Sequence, residues 1–132
     1  VDLLRYLCGY KIKDMSLLKS HENKLGDDTF TIQINFLDGS TANIHYLSNG
    51  HKGYPKERLE IFFDGKIILL DNFKGIKSWG LKNNIKKYSF SQKKGQKECI
   101  SSFLDSLKGI SSSPISIDEI FEVHNFILNL NS

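Results

Sequence analysis

The stretch TFTIQINFL, residues 29–37, sets Phe30, Ile32, Ile34 and Phe36 at alternate positions against Thr29, Thr31, Gln33 and Asn35. A period of two puts the apolar side chains on one face of a strand and the polar ones on the other. Asp38-Gly39 then reads as a hairpin turn, and residues 40–47 return with Ala42, Ile44 and Tyr46 alternating against Thr41, Asn43 and His45. The two strands share one dry face and one wet face. A second hairpin is predicted from residues 58–63 and 66–70 around Asp64-Gly65, with shorter strands over residues 75–79 and 85–90. Residues 11–20 carry Ile12, Met15, Leu17 and Leu18 in imperfect alternation and are assigned to a further strand, followed by a polar turn over residues 21–28.

The spacing turns helical at both ends of the chain. In VDLLRYLCG, Asp2 is placed as N-cap, Leu3, Leu4 and Leu7 as the apolar face, and Gly9 at the C-terminal cap. Residues 96–108 carry Ile100, Phe103, Leu104 and Leu107 at spacings of a helical stripe that stops at Gly109. After a short loop, Ser116 and Glu119 form a capping box ahead of Ile117, Ile120, Phe121, Ile127 and Leu128, so a helix closes the chain. Helix, about seven strands in antiparallel hairpins and two more helices predict an α+β fold, an open, largely antiparallel sheet with helices packed on its dry face. All of residues 1–132 are assigned to one domain, and the uncovered wet face suits a ligand or a second copy of the chain.

Composition narrows the function mainly by exclusion. With 132 residues, 39% of them hydrophobic, the chain has enough apolar surface for a real core. Its net charge of +3 is small beside 18 cations and 15 anions, and the lysines are scattered, which argues against nucleic acid as a partner. Cys8 and Cys99 form no CxxC pair, no secretory signal is visible, and a reduced, cytoplasmic protein is expected. Apolar runs are far shorter than the roughly 20 residues that cross a bilayer. His21, His45, His51 and His124 show no metal-ligand spacing. His124 reads as a packed histidine on an apolar stripe, His45 as solvent-facing on the wet face, His21 as solvated, and Trp79 as a core residue. Neither GxGxxG, GxxxxGK[ST] nor GxSxG occurs. From chemistry alone the chain is a binding domain.

The candidate ligand site is the long connection SNGHKGYPKE, residues 48–57, between two predicted strands. Long connections in compact domains are disproportionately functional. Asn49, His51, Lys52, Lys56 and Glu57 offer hydrogen-bonding groups to an anionic or polyhydroxylated ligand, while Gly50, Gly53 and Pro55 fix the path. Lys94 and Gln96 join them, because they open the penultimate helix, where free backbone N–H groups and the helix dipole favour an anion.

Three segments in order, VDLLRYLCG, SNGHKGYPKERLEIFFDGK and KKGQKECISSFLDSLKG followed by SPISIDEI, resemble the carboxy-terminal domain of the Gfo/Idh/MocA oxidoreductases, the glucose-fructose oxidoreductase and inositol dehydrogenase type enzymes. The middle segment carries most of the likeness, through Asn49, Gly50, Lys52, Tyr54, Pro55, Lys56, Glu57 and Arg58. The resemblance implies a parent enzyme whose amino-terminal Rossmann domain, absent from this chain, binds NAD or NADP. This domain would shape the pocket for a sugar, nucleotide sugar or cyclitol and assemble homo-oligomers through the open sheet face. The family's Glu-Lys-Pro lysine and its Asp and His would precede Val1, so the chain alone is expected to bind no cofactor and to be inactive. Where relatives often carry His after the Lys-Gly of the penultimate helix, this chain has Gln96, which hydrogen-bonds a hydroxyl but exchanges no proton near neutral pH. The competing expectation is a stand-alone protein-interaction or carbohydrate-binding module without redox activity.

Overall fold

A computed structural model describes residues 1–19 and 29–130; the polar turn expected over residues 21–28, with His21, lies outside them. In chain order the elements are α1 (Asp2–Cys8), β1 (Ile12–Lys19), β2 (Thr29–Phe36), β3 (Thr41–Leu47), β4 (Arg58–Phe63), β5 (Lys66–Asp71), β6 (Gly75–Trp79), β7 (Lys86–Tyr88), α2 (Gln96–Leu107) and α3 (Ile117–Asn129). The fold is α+β and its strands are antiparallel, as the patterning predicts. The strands form two ladders, β1-β2-β3 and β4-β5-β6-β7, where one sheet was expected. Between β3 and β4 the backbone of residues 48–57 is used in local turns, Gly50 N to Leu47 O at 3.4 Å and Tyr54 N to His51 O at 2.9 Å. Two compact units result, Val1–Gly50 with Ser112–Ser132, and His51–Ser111.

In the first unit the predicted alternation is realised. Phe30 faces Tyr46, Ile32 faces Ile44 and Ile34 faces Ala42 on the dry side, while Thr31 faces His45 and Gln33 faces Asn43 on the wet side. The Phe30 and Tyr46 rings stack at 5.1 Å. The imperfect alternation of β1 has a cause: a register shift between Ile12 and Asp14 lets Ile12 pair with Phe36 and Met15 with Ile34. A bulge adds one residue and returns the apolar side chains to the core face. The core is Ile12, Ile34, Phe36 and Val123, with Val1, Leu4, Cys8 and Phe126 packed against it, so α1 and α3 cover the dry face.

Of the predicted apolar face of α1 only Leu4 packs on the core, and α3 turns in a different face from the one its isoleucines suggested. In α1 the buried residue is Arg5, at 8% exposure, whereas Leu3 and Leu7 are each 45% exposed. The N-cap is Val1 and Asp2 is the first helical residue, while Gly9 closes the helix at φ 77° as predicted. The Ser116 and Glu119 capping box of α3 is formed, but Ile117, Phe121 and Leu128 stay exposed and only Val123 is fully buried. His124 is likewise exposed, its Nδ1 satisfied within the helix by Ile120 O at 2.9 Å rather than by core packing. The inward side of α3 combines Val123 and Phe126 with Glu122, which accepts from Arg5 and from the β1 backbone.

In the second unit the Asp64-Gly65 hairpin has the tight geometry its sequence predicts, with φ 45° and 70° at the two central residues. Gly80 is also obligatory, because a Cβ there would lie 2.6 Å from the Gly65 carbonyl oxygen. Strand β7 is shorter than the predicted residues 85–90; at Ile85 the backbone O still accepts from Ser78 N at 2.9 Å, while its N donates to the Ser78 hydroxyl at 2.6 Å. Trp79, expected in the core, is 47% exposed and pairs across the ladder with Ile67. Helix α2 begins at the predicted residue, ends one residue short of the predicted 108 and stops before Gly109 at φ 71°, yet none of its residues is buried. Among the described residues no helix is long and apolar enough to cross a membrane.

Candidate functional site

Chain reversal after β5 takes an uncommon form. Asn72 and Phe73 both lie in the left-handed region, at φ 51° and 52°. Asparagine tolerates that conformation, but a large side chain such as phenylalanine adopts it at a cost of about 1–2 kcal/mol. Such a conformation persists where neighbours over-determine it. Here Asn72 N donates to Glu57 O at 2.6 Å, and Lys93 N donates to Phe73 O at 2.9 Å. Gln92 Nε2 donates to Asn72 Oδ1 at 2.8 Å and to Asn72 O at 3.2 Å.

These bonds draw the start of β4, the β5–β6 turn and the segment ahead of α2 onto one carboxylate. Glu57 Oε1 accepts from Lys94 Nζ at 2.5 Å, and Glu57 Oε2 lies 3.5 Å from Gln92 Nε2. The same Lys94 ammonium stands 5.7 Å from the centre of the Phe73 ring, in cation–π range. Both charged side chains keep about a third of their surface in water, 34% for Lys94 and 38% for Glu57. Two residues on, Gly95 caps α2 at φ 71° without any side-chain cap, and Gln96 is the exposed first residue of the helix. An amide, an ammonium and uncapped helical N–H groups thus follow one another over residues 92–96, with the Phe73 ring set against the ammonium. That set can bind hydroxyl and anionic groups, and its one carboxylate is already held by a cation.

Of the residues singled out in the sequence, Glu57 and Lys94 are in direct contact, and Gln96 follows Lys94 by two positions. Lys52 and Lys56 are exposed in the connecting loop. His51 is exposed as well, its Nδ1 accepting from Gly53 N at 3.1 Å. Asn49 belongs to the first unit, outside the cluster's own unit. Asn72, Phe73 and Gln92 went unremarked in the sequence. Only Asn72, an αL-tolerant residue between two strands, carried a signal that could have found it.

The first unit has a cleft of about 520 Å³ lined by residues including Arg5, Lys11, Ser116, Glu119 and Glu122. Its central charges already satisfy one another: Arg5 donates from Nε to Glu122 Oε1 at 3.1 Å and from Nη2 to Oε2 at 3.3 Å, and Ile12 N donates to the same Oε1 at 2.6 Å. It is a structural lock more than a receptor. Among the described residues no three His, Cys, Asp or Glu side chains converge as a metal site.

This architecture is one found within dehydrogenases. UDP-N-acetylglucosamine 3-dehydrogenase GnnA of Acidithiobacillus ferrooxidans superposes over 98% of this chain with a TM-score of 0.74 at 16% identity. A Thermotoga maritima protein matches over 99% at 0.73 and 14% identity. The WlbA dehydrogenase of Bordetella pertussis, solved with NADH and UDP-GlcNAcA, matches over 98% at 0.54 and 14% identity. Likeness at this identity establishes the fold. The chain spans about two fifths of these proteins, 42%, 42% and 39% of their lengths. No family model and no curated protein matches the sequence.

Proposed function

We propose that this chain is the substrate-binding and oligomerisation domain of an NAD(P)-dependent dehydrogenase that acts on a nucleotide sugar, with the dinucleotide carried by a separate Rossmann domain of the parent protein. The fold shared with part of GnnA and WlbA supports the class. The observation that carries the site is the Glu57–Lys94 pair braced by Gln92 and the strained Asn72-Phe73 turn. In this reading Lys94, Gln96 and the uncapped N–H groups of α2 take the anionic and hydroxyl groups of the substrate. Glu57 holds Lys94 in place until the substrate displaces it, and His51, Lys52 and Lys56 add an outer wall. Hydride transfer and proton abstraction fall to the cofactor domain. Assembly through the wet face of Thr31, Gln33, Asn43 and His45 completes the proposal.

Titration of the chain with UDP-N-acetylglucosamine, followed by amide and side-chain NMR shifts, tests it. Saturable shifts at Lys94, Gln96 and Phe73, weakened at least about tenfold in Lys94→Met, are expected, that factor being 1.4 kcal/mol of binding. NADH is expected to leave the spectrum unchanged. Shifts confined to other residues, or none with either the nucleotide sugar or free N-acetylglucosamine, overturn the assignment.

A further inference from the structure

Three dipeptides place glycine after a residue whose side chain bears a carbonyl: Asp38-Gly39, Asn49-Gly50 and Asp64-Gly65. In all three a backbone nitrogen unhindered by a Cβ follows a carbonyl that can close a five-membered ring, and in sequence they look alike. Their surroundings differ. The Asp38 carboxylate accepts from Ser40 N at 3.0 Å and Ser40 Oγ at 2.7 Å, which fixes its orientation and holds its pKa below the usual carboxylate range. Gly39 N is itself engaged by Phe36 O at 3.1 Å. Asp64 is an exposed carboxylate beside Lys66 at 4.0 Å. Ionised carboxylates are poor electrophiles. At Asn49 the carbonyl belongs to a neutral amide with no hydrogen-bond partner among the described residues, and both Asn49 and Gly50 are exposed. Among the described residues, only a long 3.4 Å bond to Leu47 O restrains the Gly50 N–H.

We propose that Asn49-Gly50 is a self-modifying site, at which Asn49 converts to isoaspartate and aspartate without an enzyme. After loss of its proton, the Gly50 nitrogen attacks Asn49 Cγ, the bond from Cγ to Nδ2 breaks, and the amide nitrogen leaves as ammonia. Water then adds to one of the two carbonyls of the resulting succinimide. Opening at one gives aspartate, and opening at the other gives isoaspartate with the main chain rerouted through the former side chain. The net exchange is one water in and one ammonia out, with no change of oxidation state. Either product sets a negative charge beside His51 and Lys52 at the junction where one compact unit passes to the next. Asn and Gln are the thermolabile residues that heat-adapted proteins shed, and loop tips are where chemical change concentrates. The inference stands apart from the functional proposal, since it concerns only the chain's own backbone.

Ageing of the full chain at neutral pH and physiological temperature tests it, with peptide mapping by mass spectrometry and labelling by protein isoaspartyl methyltransferase. The peptide carrying residue 49 should gain label at least about tenfold faster than those carrying Asn35, Asn72 or Asn83, a ratio of rate constants. Gly50→Ala should remove that excess. The variant has room, because a Cβ at Gly50 meets only Leu47 O at an ordinary 3.5 Å, and circular dichroism should match that of the parent chain. Equal rates at all asparagines overturn the proposal. So does an undiminished rate in a folded Gly50→Ala, or isomerisation at Asp38 or Asp64 that outpaces Asn49.

Discussion

Glu122 in the first unit and Glu57 in the second are both gripped by a cation and by a second donor, and burial makes them different devices. Arg5 and Glu122 expose only 9% and 13% of their side chains, and the guanidinium binds both carboxylate oxygens while Ile12 N takes one of them again. Lys94 and Glu57 expose 34% and 38%, and their bond is a single contact on a flexible stem. In low dielectric an ion pair that loses one partner strands a charge, whereas in water the survivor is simply rehydrated. The first pair therefore fixes how α1, β1 and α3 meet, and the second can be exchanged for a ligand at little cost to the fold.

Glu122→Gln is the sharpest way to break that contrast, since the amide oxygen still accepts from Ile12 N while the charge opposite Arg5 is lost. Unfolding in urea should show a loss of up to about 3 kcal/mol, the consequence of leaving a buried charge without its close partner; Arg5 then keeps only the half-exposed Glu119 carboxylate, 3.9 Å away. The double variant Arg5→Met, Glu122→Gln should regain much of it, because no stranded charge remains. A loss as small as that of a surface pair would make the two carboxylates equivalent. Ser116→Ala, which removes the cap of the helix that carries Glu122, should cost about 1 kcal/mol by the same measurement.

The apolar alternation of β2 and β3 was sufficient to fix their faces and pairing, because one buried sheet face tolerates no register slip. The capping box of α3 and the glycine stops of α1 and α2 were equally readable, since their chemistry is local. Which face of each outer helix is buried was not. Leu3, Leu7, Ile117 and Phe121 outweigh Arg5 and Glu122 on any hydrophobicity count, yet they stay exposed while the polar pair turns inward beside Leu4, Val123 and Phe126. The partners are 117 residues apart in the chain, a separation at which no pattern along the sequence links them. The site shows the same division. Glu57, Lys94 and Gln96 drew notice as charged or polar residues next to predicted elements, whereas Phe73 and Gln92 matter because of a left-handed turn that no residue at position 73 announces.

Lys94→Met should lower the unfolding free energy in urea by less than about 1 kcal/mol, in keeping with an exposed pair. The least effect is expected at a third carboxylate, Asp38, whose partner is only two residues away in the β2–β3 turn. Its pKa is lowered first by the hydrogen bond from Ser40 Oγ and then by that from Ser40 N. A depressed carboxyl pKa favours the folded state above the unfolded pKa, and the benefit disappears as pH falls through the folded value. Ser40→Ala removes the larger of the two bonds, so the Asp38 titration followed by carboxyl NMR should shift upward toward the ordinary range, with the urea midpoint at neutral pH barely altered. An unmoved titration would assign the whole effect to the backbone N–H that any residue at position 40 supplies. The turn would then owe its ionised aspartate to chain geometry alone, whereas Glu122 and Glu57 are each gripped by a side chain brought from afar.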